Sequence, residues 1–270
     1  MQIYHGLADL PKVKRVIALG NFDGIHIGHR PIIEAAVRRA SEKSYRSAVL
    51  MFDPHPMQVL QKNSEFQLLT TPKQRAGILK KMNVDELIRV PFTKKMQQMQ
   101  PEAFVEQVLI SICDAACISV GYDYSFGCCG RGKTELLQSL GNSNGFELII
   151  QPSVDYLQQP VSSTRIRSAV TSGELKLAAV LLGRSYEADI CLELTGQEVG
   201  MLINFSKTVF PEEGRYEISF YRPETKLTYP GIFYVFGEQS LKYCLQLVGF
   251  PQESSKIFGR LTFLSDSLSE

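Results

Sequence analysis

The stretch Val16-Ile17-Ala18-Leu19-Gly20-Asn21-Phe22-Asp23-Gly24-Ile25-His26-Ile27-Gly28-His29 constrains the fold more than any other part of the chain. It opens as a short apolar run, breaks at Gly20-Asn21 and again at Asp23-Gly24, and continues from His29 to about Ala40. In that last part Ile32, Ile33, Ala36, Val37 and Ala40 recur at helical spacing. Strand, tight turn and helix in that order present a helix N-terminus, which is an anion-binding end. His26 and His29 face the same way there, with about 5–6 Å between Cβ atoms. Gly28 between them removes a side chain where a ligand would approach the backbone. Two imidazoles and a helix dipole aimed at one point suit a phosphate.

Strand and helix signals keep alternating to about residue 183. Ser47–Phe52 reads as a second strand, closed by Asp53-Pro54-His55-Pro56, whose prolines forbid further pairing. A helix from Thr71-Pro72 to Met82, a strand at Glu86–Val90, a helix from Pro101 to Ile112 and a strand at Ala115–Val120 follow. After the loop Gly121–Gly132 come a short helix, Thr134–Leu140, stopped by Gly141–Gly145, and a strand at Phe146–Ile150. Helices at Ser163–Val170 and Glu174–Leu182 complete this part. The alternation predicts an α/β fold with a doubly wound parallel sheet and ligands at the carboxyl ends of its strands. The histidine turn, the Asp53–Pro56 loop and the Gly121–Gly132 loop all follow strands and should cluster on one edge. Beyond Gly183 the texture changes to short β-like runs at Ile190–Leu194, Met201–Phe205, Arg215–Tyr221, Ile232–Phe236, Tyr243–Val248 and Leu261–Leu264. One helix is expected among them, at Gln252–Phe258. This reads as a small antiparallel sheet or barrel of about 80 residues, which divides the chain into domains 1–185 and 186–270.

The 270 residues are 44% hydrophobic and 21% charged, enough to bury a sizeable core, and the net charge of +1 gives no global field toward nucleic acid or membrane. Any anion site is therefore local. Six cysteines without a CxxC pair read as reduced thiols of a cytoplasmic protein. Met1–Pro11 lacks the pattern of a signal peptide, and no apolar run approaches the ~18–20 residues of a membrane helix. No protein-only metal site is visible in the spacing, and nothing indicates the oligomeric state.

His26-Ile27-Gly28-His29 resembles the HxGH turn of the Rossmann-like nucleotidylyltransferase superfamily. The longer phrase from Gly20 to His29 is similar to the GNFDGxHxGH signature of prokaryotic FAD synthetases, the FMN adenylyltransferase module of bifunctional riboflavin kinase/FAD synthetases. Val161-Ser162-Ser163-Thr164-Arg165-Ile166-Arg167 resembles that superfamily's ISSTxxR mark. Hydroxyls at a helix start are ordinarily a cap; with Arg165 and Arg167 beside them they suit phosphate, since Arg supplies fork-shaped donors. Phe52-Asp53-Pro54-His55-Pro56 is similar to the family's TFxPHP loop, and Val120–Gly132 to its VGxDFxFGxxRxG loop. Tyr124 stands where Phe is usual, Cys128-Cys129-Gly130 is atypical, and Arg131 is one position out of strict register.

The resemblance implies ATP + FMN → FAD + pyrophosphate, with Mg²⁺ bridging phosphates. It implies His26, His29, Asp123 and Arg165 as the catalytic residues. ATP would meet Gly20, Asn21, Phe22, Asp23, Gly28, Ser162, Ser163, Thr164, Arg165 and Arg167. Phe52, Pro54, His55, Pro56, Phe126 and Arg131 would bound FMN. Domain 186–270 resembles a reduced riboflavin kinase barrel: Leu194–Lys207 lacks the family's Pro-Thr-Ala-Asn stretch, Gly196 and Gly200 make no phosphate loop, and Asn204 stands without its Thr. Kinase activity is therefore expected to be missing. Alternatives are a flavin-binding sensor and an HxGH enzyme with another phosphate acceptor. Gly127–Thr134 also satisfies the P-loop pattern GxxxxGK[ST], but Tyr122–Phe126 separates it from its strand, and the pattern reads as a decoy.

Overall fold

Val16–Leu19 forms the core of β2 (Arg15–Leu19), buried at every position as a strand covered on both faces must be. The structure is a computed structural model that describes residues 1–60, 66–194, 199–203, 208–237, 242–251 and 256–266. By contacts the chain divides into two units, Met1–Phe66 with Lys73–Pro160, and Gln67–Pro72 with Val161–Glu270.

In the first unit β2 is joined by β1 (Gln2–His5), β3 (Arg46–Phe52), β4 (Glu86–Val90), β5 (Ala115–Gly121) and β6 (Glu147–Gln151). All pair in parallel, in the order β1-β4-β3-β2-β5-β6. The helices are α1 (Arg30–Lys43), α2 (Pro56–Leu60), α3 (Pro72–Lys81), α4 (Lys94–Gln97), α5 and α6 (Thr134–Asn144). Helix α5 starts as Pro101–Ala103 and continues as a wide π-type coil, Phe104–Ile112. One face of the sheet, with Val16, Ala18 and Val49, packs on Ile33 and Ala36 of α1 and Leu79 of α3. The opposite face, with Ile17, Leu19, Leu50 and Ile118, packs on Phe104, Val105 and Leu109 of α5 and Leu137 of α6. This is the doubly wound sheet expected from the alternation. Strand order reverses between β2 and β5, so their carboxyl ends flank the crevice where such sheets take ligands.

Two expectations need correction, and one strand was not foreseen. Helix α6 does not stop at Leu140 but runs through Gly141 to Asn144, and Gly145 (φ +76°) ends it in the left-handed region. Gly141 sits inside the helix because a Cβ there would come within 3.0 Å of Phe146. The Gln252–Phe258 helix is absent at its described end, since Lys256–Phe258 belong to a strand; residues 252–255 lie outside the described residues. Strand β1, absent from the sequence reading, adds a parallel edge to β4.

After a short hairpin, β7 (Asp155–Tyr156) and β8 (Gln159–Pro160), the second unit opens with α7 (Ser163–Thr171) and α8 (Leu175–Leu182). Six strands follow: β9 (Glu187–Leu194), β10 (Val199–Ile203), β11 (Gly214–Arg222), β12 (Leu227–Phe236), β13 (Lys242–Leu247) and β14 (Lys256–Phe263). They close into an antiparallel barrel in the order β10-β13-β12-β11-β14-β9. Rings fill its interior: Phe233 stacks on Tyr243 at 5.9 Å and meets Phe263 edge-on at 5.6 Å. Gly259 is required there, because a Cβ would strike the Phe220 ring. Gly196, Asn204 and most of the expected phosphate-loop region lie outside the described residues. Among the described residues no helix is long and apolar enough to cross a membrane.

Candidate active site

The chain leaves β2 through a turn in which Phe22 (φ +49°), Gly24 (φ +83°) and Ile25 (φ +40°) all take left-handed backbone. For Phe and Ile this costs on the order of 1–3 kcal/mol each, and it is offset by burial of both side chains, 2% and 0% exposed. The Phe22 ring folds back beneath Gly20, where a Cβ would lie 2.9 Å from its Cζ. Gly20 is thus needed for close approach. The turn delivers His26 and His29 to the start of α1, where the His29 and Arg30 amides donate to the His26 carbonyl at 2.8 and 3.2 Å. The two imidazoles stack with centroids 3.5 Å apart, and Phe22 meets His29 edge-on at 5.2 Å.

This end of α1 is prepared for negative charge. No acidic residue occupies its first turn and no side chain caps it. His29 Nδ1 and Arg30 Nε are buried without a hydrogen-bond partner among the described residues. Burial first, and the neighbouring His26 second, push the His29 imidazole well below its usual pKa, although the residue retains some exposed surface. Two stacked rings cannot both carry a proton without a counter-ion; an anion at the helix end is what would supply one.

Behind the turn lies a residue the sequence reading missed. Arg75 on α3 is 1% exposed, and its Nη1 donates to the Asn21 carbonyl at 3.0 Å, with Met51 Sδ at 3.7 Å. Burial lowers its pKa from the ordinary value, and Asp23, then Asp53, work against that shift. Asp53 also lies 3.4 Å from Arg89 Nε. The available signal was a cation one helical turn before buried Leu79, on the inward face of an amphipathic helix.

The Asp53–Pro56 loop ends β3 and begins with a cis Asp53-Pro54 bond. His55 is buried, its Nδ1 accepts from the Met57 amide at 3.1 Å, and its ring stacks on Phe66 at 4.9 Å. Pro54 is exposed and Pro56 half-buried. A chain of rings joins this loop to the one after β5: Phe52 to Phe104 at 6.3 Å, Phe104 to Phe126 at 6.1 Å, and Phe126 to Tyr124 at 5.8 Å. Phe126 is itself buried, while Asp123 and Arg131 are exposed. The histidine turn and both loops thus lie at the carboxyl ends of β2, β3 and β5, on one edge of the sheet.

The P-loop pattern forms no phosphate cradle. Phe126 and Gly132 close the loop by exchanging backbone hydrogen bonds, each amide donating to the other's carbonyl at 3.0 and 2.9 Å. The Gly130 and Arg131 amides donate to Gly127 and Cys128 carbonyls, and the Cys128 amide to Met99 at 2.7 Å. The Cys128, Gly130, Arg131 and Gly132 N–H groups, which a P-loop would turn toward phosphate, are here consumed within the fold.

Ser162–Arg167 opens α7 in the second unit. Ser162 is the N-cap, its hydroxyl accepting from the Arg165 amide at 3.2 Å. Ser163, Arg165 and Arg167 are half-buried and Thr164 exposed. Arg167 Nε donates to the Gln67 carbonyl at 3.0 Å. Among the described residues no group of three His, Cys, Asp or Glu is placed to hold a metal ion.

A doubly wound sheet with an HxGH turn at its switch point defines a nucleotidyltransferase. Residues 10–165 match the model of the family described as FAD synthetase. The chain is 32% identical over 254 residues to a bifunctional riboflavin kinase/FMN adenylyltransferase of Listeria monocytogenes, covering 89% of this chain and 80% of that protein. A protein of the same name from Bacillus subtilis is 31% identical over 184 residues, 67% of this chain and 57% of the relative. The chain belongs to the FAD synthetase family. A crystal structure described as a macrolide-efflux protein from Streptococcus pneumoniae superposes with a TM-score of 0.86 at 23% identity, over 99% of this chain and 91% of that one. At that identity the likeness speaks for the fold alone.

Proposed function

We propose that the chain is an FMN adenylyltransferase, moving AMP from ATP to the phosphate of FMN and lacking riboflavin kinase activity. The observation that carries the transfer reaction is the stacked His26–His29 pair at an uncapped helix start, with His29 Nδ1 buried and unsatisfied. The nucleophile is an FMN phosphate oxygen, already ionised at neutral pH, so the protein needs no general base. That oxygen attacks the α-phosphorus as the bond to the bridging oxygen breaks, and pyrophosphate leaves with the electron pair. The site must hold the two phosphates in line and neutralise charge on the α-phosphate and leaving group. His26 and His29 meet the α-phosphate, and Gly20, Asn21, Phe22, Asp23 and Gly28 line the adenosine and phosphates. Ser162, Ser163, Thr164, Arg165 and Arg167 take the β/γ end. Pro54 and Arg131 offer exposed surface to the flavin, with Phe52, His55, Pro56 and Phe126 supporting it from behind.

Mg²⁺ would be held mainly by phosphates and waters. That suits a site whose described residues form no cage, with exposed Asp123 the carboxylate best placed to help. When bound, the ion neutralises phosphate charge. We assign the adenylyltransferase module to residues 1–185 and a reduced, catalytically silent barrel to 186–270. Two features support silence: Leu194–Lys207 lacks Pro-Thr-Ala-Asn, and rings fill the barrel interior. Free cysteines suit the cytoplasm.

Incubation with ATP, Mg²⁺ and either FMN or riboflavin, followed by chromatography of the flavins, tests both parts. FAD and pyrophosphate should form from FMN, and no FMN from riboflavin. Binding of FMN without pyrophosphate release would favour a flavin sensor, and FMN produced from riboflavin would refute the silent barrel. His29→Ala should lower turnover by at least about 10²-fold, the scale of one lost transition-state donor, while FMN binding survives.

A further inference from the structure

Cys128 and Cys129 stand side by side in the loop after β5, and the structure places their sulfurs 3.7 Å apart. Cys129 takes left-handed backbone, φ +55° and ψ +23°, between Cys128 and Gly130. The loop is fixed beneath them by the Phe126–Gly132 pair and by the hydrogen bond that the Cys128 amide donates to the Met99 carbonyl. Gly127 fits tightly against Pro101, where a Cβ would lie 2.7 Å from its ring. The sulfur positions are therefore set by a braced backbone.

Sulfurs 3.7 Å apart on adjacent residues are near enough for one pyramidal trivalent centre to bond both after a small inward rotation of the side chains. A relaxed disulfide needs Cα atoms about 4.4–6.8 Å apart, whereas neighbours across a trans peptide are held at about 3.8 Å. Oxidation to a disulfide would strain this loop, so the resting form is the dithiol. The sulfur–sulfur hydrogen bond, and secondarily burial, raise the Cys128 thiol above its ordinary pKa, which keeps it a poor single nucleophile.

Because no third ligand group joins them among the described residues, the pair cannot complete a zinc cage. It suits a centre satisfied by two sulfurs. Cys113, Cys117 and Cys191 are buried, and Cys244 lies in the barrel of the second unit, so no other thiols compete as a pair.

We infer that Cys128 and Cys129 form a chelating site for organic trivalent arsenic. An arsenoxide, R–As=O, takes both thiols to give R–As(S–)₂ and one water. Two S–H bonds and the As=O bond break, two As–S bonds form, and arsenic stays trivalent with no oxidant consumed.

Phenylarsine oxide added to the full-length protein is the test, read by intact mass and by titration of free thiols. One phenylarsine per chain, with loss of two thiols, is expected; a dithiol such as 2,3-dimercaptopropanol should remove it and a monothiol at equal sulfur should not. Cys128→Ser and Cys129→Ser should each weaken binding by at least about 10²-fold, since closing the second bond within one loop supplies the avidity. Cys244→Ser should leave it unchanged. Adducts formed equally well in either loop variant, in variants whose melting temperature matches the parent, would overturn the site, as would loss of binding in Cys244→Ser. These readouts do not depend on turnover and stand whether or not FMN is the acceptor.

Discussion

His29 carries a conflict between folding and function: the fold keeps its ring neutral, at a position where negative charge is to be met. Its folded pKa lies well below the ordinary 6.5 because of burial and the His26 ring. Between that folded value and about 6.5 the unfolded chain binds the extra proton, so stability rises with pH through this window and is lost as pH falls below about 6.5. His29→Gln should therefore flatten the decline in melting temperature between pH 7 and pH 5; a variant that declines as steeply as the parent would exclude His29 as the cause. Arg75 acts from the other side of the turn, through the Asn21 carbonyl. Arg75→Met removes the donor to the Asn21 carbonyl and a favourable charge near Asp23, and a buried polar group left unsatisfied costs about 1–3 kcal/mol. Denaturant unfolding should show that loss. If Arg75 positions the turn, turnover by the folded fraction should also fall while KM for FMN holds, and Arg75→Lys should restore part of it. A purely structural arginine would cost stability and leave turnover per folded molecule unchanged.

At the scale of elements, glycine explains both what the sequence disclosed and what it concealed. Strands β2, β3 and β4 and helix α1 were legible because uninterrupted apolar runs and 3.6-residue spacing have few other readings. The histidine turn and the two loops were legible because their glycines and prolines punctuate the chain after strands. Gly141 misled because it spaces a helix against Phe146 and does not end it. β1 escaped because four residues at a sheet edge, with both end positions exposed, show too little patterning. Arg75 stayed hidden because its partner is a backbone carbonyl far along the chain, and no local pattern announces that. In the loop after β5, a Cβ on Gly132 would lie 2.7 Å from Phe126. Gly132→Ala must displace that ring from the aromatic chain leading to Phe52, and overpacking of this kind costs about 1–3 kcal/mol. Lys133 is exposed, so Lys133→Ala should stay within about 0.5 kcal/mol and leave turnover near the parent value. A ranking in which Lys133→Ala abolishes turnover and Gly132→Ala is silent would revive the P-loop reading that the loop's hydrogen bonds oppose.

For the whole molecule, the contact units do not follow chain order, since Gln67–Pro72 belongs with residues 161–270 although sheet strands precede and follow it. The segment is tied down within that unit. The Val209 amide donates to the Leu68 carbonyl at 3.0 Å, Thr71 Oγ1 to Asp189 at 3.1 Å, and Arg167 Nε to Gln67 at 3.0 Å. Asp189 is shared with Arg260 of β14 at 2.7 Å. The helices before the barrel are held in the same way: the Glu212 amide donates to the Thr171 carbonyl at 2.8 Å, and the Lys176 amide to Asp266 at 2.7 Å. A chain ending at residue 185 would keep every residue assigned to ATP and FMN, yet lose all these partners except Arg167–Gln67. Each such bond contributes about 1 kcal/mol net, and the Tyr216 side chain that lies close against Gly173 is lost with them. The truncated chain should melt several degrees or more below the parent, bind a hydrophobic dye, and transfer adenylate poorly because α7, which carries Ser163, Thr164 and Arg165, loses its support. Full turnover with an unchanged melting temperature would instead make the barrel a separable module, with its reason for persisting to be sought outside the adenylyl transfer.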